Sequence, residues 1–522
     1  MEVAARTAIA LLLALAVASG CLCGGAQGRH HRHTKHTRHN SAHAPSQAPG
    51  PASSRRHAPP HAPGASPPAP PPPSSSSGAG GAAPAPAPET AAGGAAAVYD
   101  VVKDFGAVGD GVADDTDAIK TAWDTACSED GDGVVLAAAG YSFLVHSTVF
   151  TGPCQGSVTI QLDGTMVAPS DPDKWPANNK RNWLVFYNAH GTTLRGAGLI
   201  DGKGQKWWDL PCKAHKVVYL YSIRKEYIVA QVSEEIPLQG QGGSSGHGAS
   251  CDSPVALRFF TSNNVTVQGL RVQNSPEFHF RFDSCRGVVV SGLSISSPQQ
   301  SPNTDGIHIE NTQDVLVANT AVSNGDDCVS IGAGALNVRI ENVTCALGHG
   351  ISIGSLGKQG TRACVANVTV RNAVIRRSDN GVRIKTWQGG SGSVSSVAFE
   401  NVRMDAVRNP IIIDQYYCLS RTCENATTAV FVSGVSYAGI RGTYDARSPP
   451  IHFGCSDAVP CTNITLADVE LLPAASSSGQ AADEPFCWNV YGNAAAPTVP
   501  PVACLMDGVP GNYADKSSLK CY

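Results

Sequence analysis

Asn264-Val-Thr-Val-Gln-Gly-Leu270 is answered along the chain by Gly287-Val-Val-Val-Ser-Gly-Leu293, Asp314-Val-Leu-Val-Ala-Asn-Thr320, Asn337-Val-Arg-Ile-Glu-Asn-Val343 and Asn367-Val-Thr-Val-Arg-Asn-Ala373. Successive starts lie 23, 27, 23 and 30 residues apart. Each run is short and β-branched, alternates with period two, and ends at a Gly or Asn bend. A near-constant period of this size marks a solenoid. Strands this short with no helical pattern between them predict an all-β fold, a parallel β-helix. In such a fold each coil covers the next and the inward Val, Ile and Leu make one continuous core. A β-sandwich would instead need hairpin signals between paired strands. Asn324-Gly325 and Asn380-Gly381 occur, but the β-runs follow at coil spacing. Upstream, Asp114-Asp-Thr-Asp117 leads into Ala118-Ile-Lys-Thr-Ala-Trp123, which predicts a capping helix over the N-terminal end of the solenoid.

The 522-residue chain has three zones. Residues 1–26 read as a secretory signal peptide, because Thr7–Ala18 is apolar, too short to span a bilayer, and followed by small residues at two cleavage positions. From 27 to 97 the composition turns to His, Pro, Ala, Ser and Gly, which cannot bury enough apolar surface to offset its ordering entropy. That stretch is expected to be a disordered, solvated spacer. A pH-dependent anchor to anionic polysaccharide and a His-rich metal binder are the alternatives. Residues 98–522 form the folded domain.

The extension carries six basic residues against Glu89, and the stretch before it is neutral, so the net charge of −4 leaves −9 on the folded domain. Bulk attraction cannot draw a polyanion to such a surface, and local cations must do so. Nothing in this balance points to nucleic acid. No later stretch is long and apolar enough for a membrane span. Of 17 cysteines, all but Cys21 and Cys23 lie at or beyond Cys127. Close pairs such as Cys328/Cys345, Cys418/Cys423 and Cys455/Cys461 suit short disulfide loops in an oxidising compartment. Fifteen remain after the leader, so one thiol is left over. Sequons at Asn264, Asn342, Asn367, Asn425 and Asn463 are candidate glycan sites in a secreted chain.

Chemistry concentrates in fewer than ninety residues: Asn303-Thr-Asp305, Gly325-Asp-Asp-Cys328, Gly348-His-Gly350 and Arg383-Ile-Lys385. Residues on successive coils stack, so Asp305 and the Asp326-Asp327 pair can meet. Crowded carboxylates cannot all ionise easily, so one holds its proton to higher pH. A protonated carboxyl beside ionised ones is what acid-catalysed glycoside hydrolysis uses. A single Asp at a bend would more often be turn chemistry. Clustered carboxylates also suit calcium. Arg383 and Lys385 alternate on a predicted strand, so both face one side and can clamp a carboxylate, which points to an acidic sugar.

These motifs, with Gly348-His-Gly-Ile-Ser-Ile-Gly354 and Asn409-Pro-Ile-Ile-Ile-Asp-Gln-Tyr-Tyr-Cys418, resemble the plant polygalacturonases of glycoside hydrolase family 28. The resemblance runs from about Val98 to Tyr522. It implies a right-handed parallel β-helix and inverting hydrolysis of α-1,4-galacturonosyl bonds in pectin, with no cofactor or metal. It assigns Asp326 as general acid, Asp305 and Asp327 as the groups that activate water, and His349 as a neighbour that tunes the acid. Arg383, Lys385 and Tyr417, in preference to Tyr416, are the implied substrate contacts. A secreted monomer acting in the cell wall or apoplast is expected. Exo action, a related pectic hydrolase or a non-catalytic wall-binding β-helix are the alternatives. Residues 213–241 depart from the family pattern: they are apolar, out of register and read as an atypical insertion or a translated intron. Ala335 stands where many relatives have cysteine.

Overall fold

A computed structural model describes residues 96–176, 180–210, 253–419, 425–475, 482–510 and 521. The leader, the extension before residue 96, the 213–241 insertion and Cys423 lie outside the described residues. Every strand pairing in the sheets is parallel, and the chain winds as a right-handed β-helix. Among the described residues one sheet has 11 strands and the other, folded along a corner, has 22.

The five sequence repeats occupy one corner in register. Val265, Val288, Val315, Val338 and Val368 pair in turn, as do Val267, Val290, Val317, Ile340 and Val370, and all are buried. The residue opening each run is not only a bend former. Asn264, Gly287, Asp314, Asn337 and Asn367 all take left-handed backbone, with φ of 55°, 69°, 58°, 57° and 55°. Asn, Asp and Gly tolerate that region best. The side chains then join coil to coil: Asn337 Nδ2 donates to Asp314 Oδ1 at 2.7 Å, and Asn367 Nδ2 to Asn337 Oδ1 at 2.7 Å. All five sequon asparagines are exposed.

The predicted helix spans Thr116–Cys127 and buries Ile119, Ala122, Trp123 and Ala126, a single face at helical spacing. Trp123 meets Phe150 and Phe186 with ring centroids 5.3 and 5.7 Å apart. From Phe186 the rings stack onward to Phe259 at 4.6 Å and Phe282 at 5.2 Å, coil by coil. The helix therefore closes the first coils with the same aromatic column that fills them. Cys127–Cys154 fastens its C-terminal end. The pairs Cys328–Cys345 and Cys455–Cys461 form as expected, with Cys364–Cys521 and Cys487–Cys504 besides. Among the described residues the free thiol is Cys285, buried and pushed up to about 11 by burial.

The 11-stranded sheet sets out the site. Its inward ladder runs Phe280, Ile307, Val329, Ile351, Val382, Ile411, Ile451. One residue on, pointing outward, the ladder reads Arg281, His308, Ser330, Ser352, Arg383, Ile412, His452, Phe486. Strands in register stand about 4.8 Å apart, so this outward row is the floor of a groove along the solenoid.

Candidate active site

Asp305 and Asp327 sit just ahead of the strands Ile307–Glu310 and Val329–Ile331, at equivalent places on neighbouring coils, and His349 takes the same place on the next. Backbone bonds lock the stack: Gly306 N donates to Asp327 O at 2.9 Å, and His349 N to Asp326 O at 2.9 Å. Gly348 permits the approach, since a Cβ there would lie 2.0 Å from Asp326 O.

Asp327 is the best-held group. Its side chain is 2% exposed, and it accepts from Ser352 Oγ at 2.7 Å, Arg383 Nη2 at 2.7 Å and Lys385 Nζ at 2.8 Å. Arg383 Nε also donates to Ser352 Oγ at 3.0 Å, which fixes the guanidinium against the strand. Burial favours the neutral acid here. Lys385 and Arg383 outweigh it and hold the Asp327 carboxyl well below the usual carboxylate range. Arg383 is itself held further protonated by Asp327, against the opposing effect of burial.

Asp326 faces outward, with its side chain 17% exposed. His349 Nδ1 lies 2.7 Å from Asp326 Oδ1, and His349 Nε2 lies 3.6 Å from Asp379 Oδ2. Burial raises the Asp326 carboxyl, but the hydrogen bond and charge of His349 overcome that and lower it. Asp305 is different. It is buried and accepts one bond at 2.6 Å, from Ser330 Oγ, whose oxygen also sits 2.8 Å from His308 Nδ1. Burial first, then the charges of Asp326 and Asp327, raise its carboxyl well above the usual range. Of the three crowded carboxyls, Asp305 is therefore the one whose proton affinity is raised, whereas the resemblance puts the acid at Asp326.

Tyr417 stands over the cations: Lys385 Nζ lies 5.5 Å from its ring centroid, and Trp387 packs edge-on at 5.3 Å. Burial raises its hydroxyl. Tyr416 turns away, to Asp457 and Trp488. All seven residues singled out in the sequence thus gather on adjoining coils. Ser330 and Ser352, which anchor Asp305 and Asp327, escaped notice. Both are the outward middle residue of a buried triplet, Val329-Ser-Ile331 and Ile351-Ser-Ile353, and that polar interruption was their signal.

Asp326, Asp327 and His349 offer ligand atoms within 4.8 Å of one another, a spacing a metal ion can use. The Asp327 oxygens, however, already face Arg383 and Lys385. A divalent cation there would meet two positive charges, so the donor set fits a carboxylate guest better than calcium.

Residues 127–235 and 226–490 match the model of glycosyl hydrolases family 28. A protein of Arabidopsis thaliana described as a probable polygalacturonase is 42% identical over 407 residues, covering 78% of this chain and 84% of its own. Polygalacturonase-2 of Solanum lycopersicum is 37% identical over 400 residues, 76% and 79% of the two chains. Among solved structures, endo-xylogalacturonan hydrolase of Aspergillus tubingensis aligns with a TM-score of 0.60 at 24% identity, over 80% of this chain and 100% of that one. The chain is thus a β-helical glycoside hydrolase, and it belongs to glycosyl hydrolases family 28.

Proposed function

We propose that this chain is a secreted, monomeric polygalacturonase of the cell wall or apoplast that hydrolyses α-1,4-galacturonosyl bonds of homogalacturonan with inversion. The observation that carries the reading is the pairing of a buried, doubly ion-paired Asp327 with an outward Asp326 that shares a hydrogen bond with His349. Among the described residues no helix is long and apolar enough to cross a membrane.

The substrate carboxylate binds at Arg383 and Lys385, with Tyr417 beside them, and competes with Asp327 for the two cations. It brings a negative charge close to Asp326 and raises that carboxyl, since like charge disfavours ionisation. His349 Nδ1 and Asp326 Oδ1 share a hydrogen bond, and Asp326, the most exposed of the three carboxyls, is the one placed to hand a proton to the glycosidic oxygen. Asp305 and Asp327, deeper and fixed by Ser330 and Ser352, orient the attacking water and take its proton. Mild acid should favour turnover, because the acid keeps its proton while galacturonate stays charged.

The test is the product profile from polygalacturonic acid, with and without chelator, for the wild type and Asp326→Asn. Saturated products that survive chelation, and a variant at least a thousandfold slower that still binds polygalacturonate, are expected if general-acid catalysis contributes on the order of 10²–10⁴ with positioning added. Unsaturated products abolished by chelator would mean a lyase, and near-normal activity of Asp326→Asn would overturn the acid assignment.

A further inference from the structure

The groove floor does not stay cationic past the site. The outward ladder that carries Arg383 continues through Ile412, His452 and Phe486, and the one that carries Lys385 continues through Asp414, Gly454 and Trp488. Neither continuation contributes a Lys or Arg. Phe486 is 43% exposed, Trp488 51% and Tyr416 37%, so three large aromatic groups face solvent at one end of the groove. Phe486 stacks on His452 with centroids 4.6 Å apart. Trp488 Nε1 donates to Asp457 Oδ1 at 2.7 Å, and Tyr416 meets both partners of that bond. The rings are therefore held by packing and hydrogen bonds, as a binding platform needs, while more than a third of each residue stays exposed.

Among the described residues, the charged group bonded to the platform is acidic. Asp457 is exposed and bonded to Trp488. Asp414 lies half-buried beside His452, and burial lowers that imidazole toward its neutral form, with Asp414 opposing. On the opposite side of the site the floor carries ion pairs instead, Arg281 with Glu310 and Arg258 with Asp283. A free galacturonate set on the aromatic end would have its carboxylate near Asp457 and would meet no Lys or Arg on the two ladders that form the floor there. A galacto-configured ring does offer one apolar face of C–H groups, which suits an indole or phenyl ring.

We propose that Trp488, Phe486 and Tyr416 form a distal subsite for a methyl-esterified galacturonosyl residue, about three strands or 14 Å along the groove from Lys385. The proposal rests on the pectic-substrate reading above. On it, the groove reads a pattern, with a free acid clamped by Arg383 and Lys385 where the bond is cut and an uncharged residue stacked further along. Partly esterified pectin, not fully de-esterified polygalacturonate, then fits the whole groove.

The experiment compares KM and kcat on polygalacturonate and on the same polymer re-esterified to about half, for wild type, Trp488→Ala, Trp488→Phe and Asp457→Asn. Loss of one stacking contact should raise KM on the esterified polymer by roughly three- to tenfold relative to any change on polygalacturonate, with kcat little altered. Trp488→Phe should restore most of it. Asp457→Asn, which keeps the acceptor for Trp488 but removes the charge, should lower KM on polygalacturonate. Equal KM changes on both polymers in Trp488→Ala, or an effect confined to kcat, would overturn the proposal. If the wild type cleaves neither polymer, the pectic reading fails at the chemistry. The subsite is then judged by calorimetric binding of esterified oligomers, where equal affinity of wild type and Trp488→Ala overturns it and weaker binding by the variant upholds it.

Discussion

Lys385→Met isolates one cation of the pair that holds Asp327. The side chains of Lys385 and Asp327 are only 8% and 2% exposed and meet at 2.8 Å, so water cannot replace the lost charge. Removing one partner of a buried ion pair destabilises by about 3–5 kcal/mol. Arg383 remains at 2.7 Å, which argues for the lower end of that range. For a domain of roughly 400 residues the unfolding entropy is on the order of 0.8 kcal/mol per kelvin, so Tm should fall by about 4 °C at pH 7. The pH dependence gives the sharper check. The folded-state value of Asp327 is depressed, so its stabilisation is present above the unfolded value near 3.9 and is lost as pH falls through the folded value. In the variant the depression is smaller. Its penalty should be full from pH 7 down to about 5 and narrow once pH drops below about 4. Calorimetry of both proteins from pH 3 to 7, reading Tm and unfolding enthalpy, measures this. A loss under about 1 °C at pH 7, or one that stays constant with pH, would refute the claim that Lys385 acts by compensating a buried carboxylate.

Three further outcomes follow from the same geometry. His349→Gln removes an interaction that lowers the Asp326 carboxyl while keeping a hydrogen-bonding group, so kcat on polygalacturonate should fall at least tenfold and the alkaline limb of its pH–rate profile, set by the acid, should shift upward. Trp123→Ala leaves a void between the helix and the Phe150 and Phe186 rings. It should destabilise by about 3–5 kcal/mol with kcat unchanged in whatever remains folded, as denaturant unfolding and active-site titration would report. Cys285, buried and with its thiol pushed up to about 11, should resist a thiol reagent in the native enzyme and react at once in denaturant.

The coil repeat was legible because it is written by sterics. Inward positions favour β-branched residues, as in Val265 to Val368, and left-handed corners favour Asn, Asp or Gly, as in Asn264 to Asn367. The site was legible for a related reason. Stacking turns coil spacing into proximity, so Asp305, Asp326-Asp327, His349 and the Arg383/Lys385 pair could be placed together before any coordinates. Ser330 and Ser352 were not singled out, because a serine in a valine-isoleucine run has no chemistry until a carboxylate is seen against it. The exposed platform of Phe486 and Trp488 was invisible for the opposite reason. Aromatic residues in a strand normally point to a core, and only the register with Arg383 and Lys385 shows these on the groove side.

The order of proton affinity among the three carboxyls was also out of reach, and it bears on how the acid works. Sequence establishes that three carboxylates crowd, yet their order depends on which cations each one reaches. Asp327 reaches two and Asp326 reaches His349, while Asp305 reaches only the hydroxyl of Ser330. Proton affinity is therefore raised at Asp305 and lowered at Asp326. A substrate carboxylate that draws Arg383 and Lys385 toward itself weakens the compensation of Asp327 and adds negative charge at Asp326. Both effects raise proton affinity at Asp326, and once Asp326 takes a proton its charge no longer raises Asp305. Binding the acidic sugar is then what arms the acid, and a neutral sugar in the same place would leave Asp326 ionised. Selectivity for a uronic acid and the acid step of hydrolysis are, on this geometry, two consequences of one ion-pair arrangement.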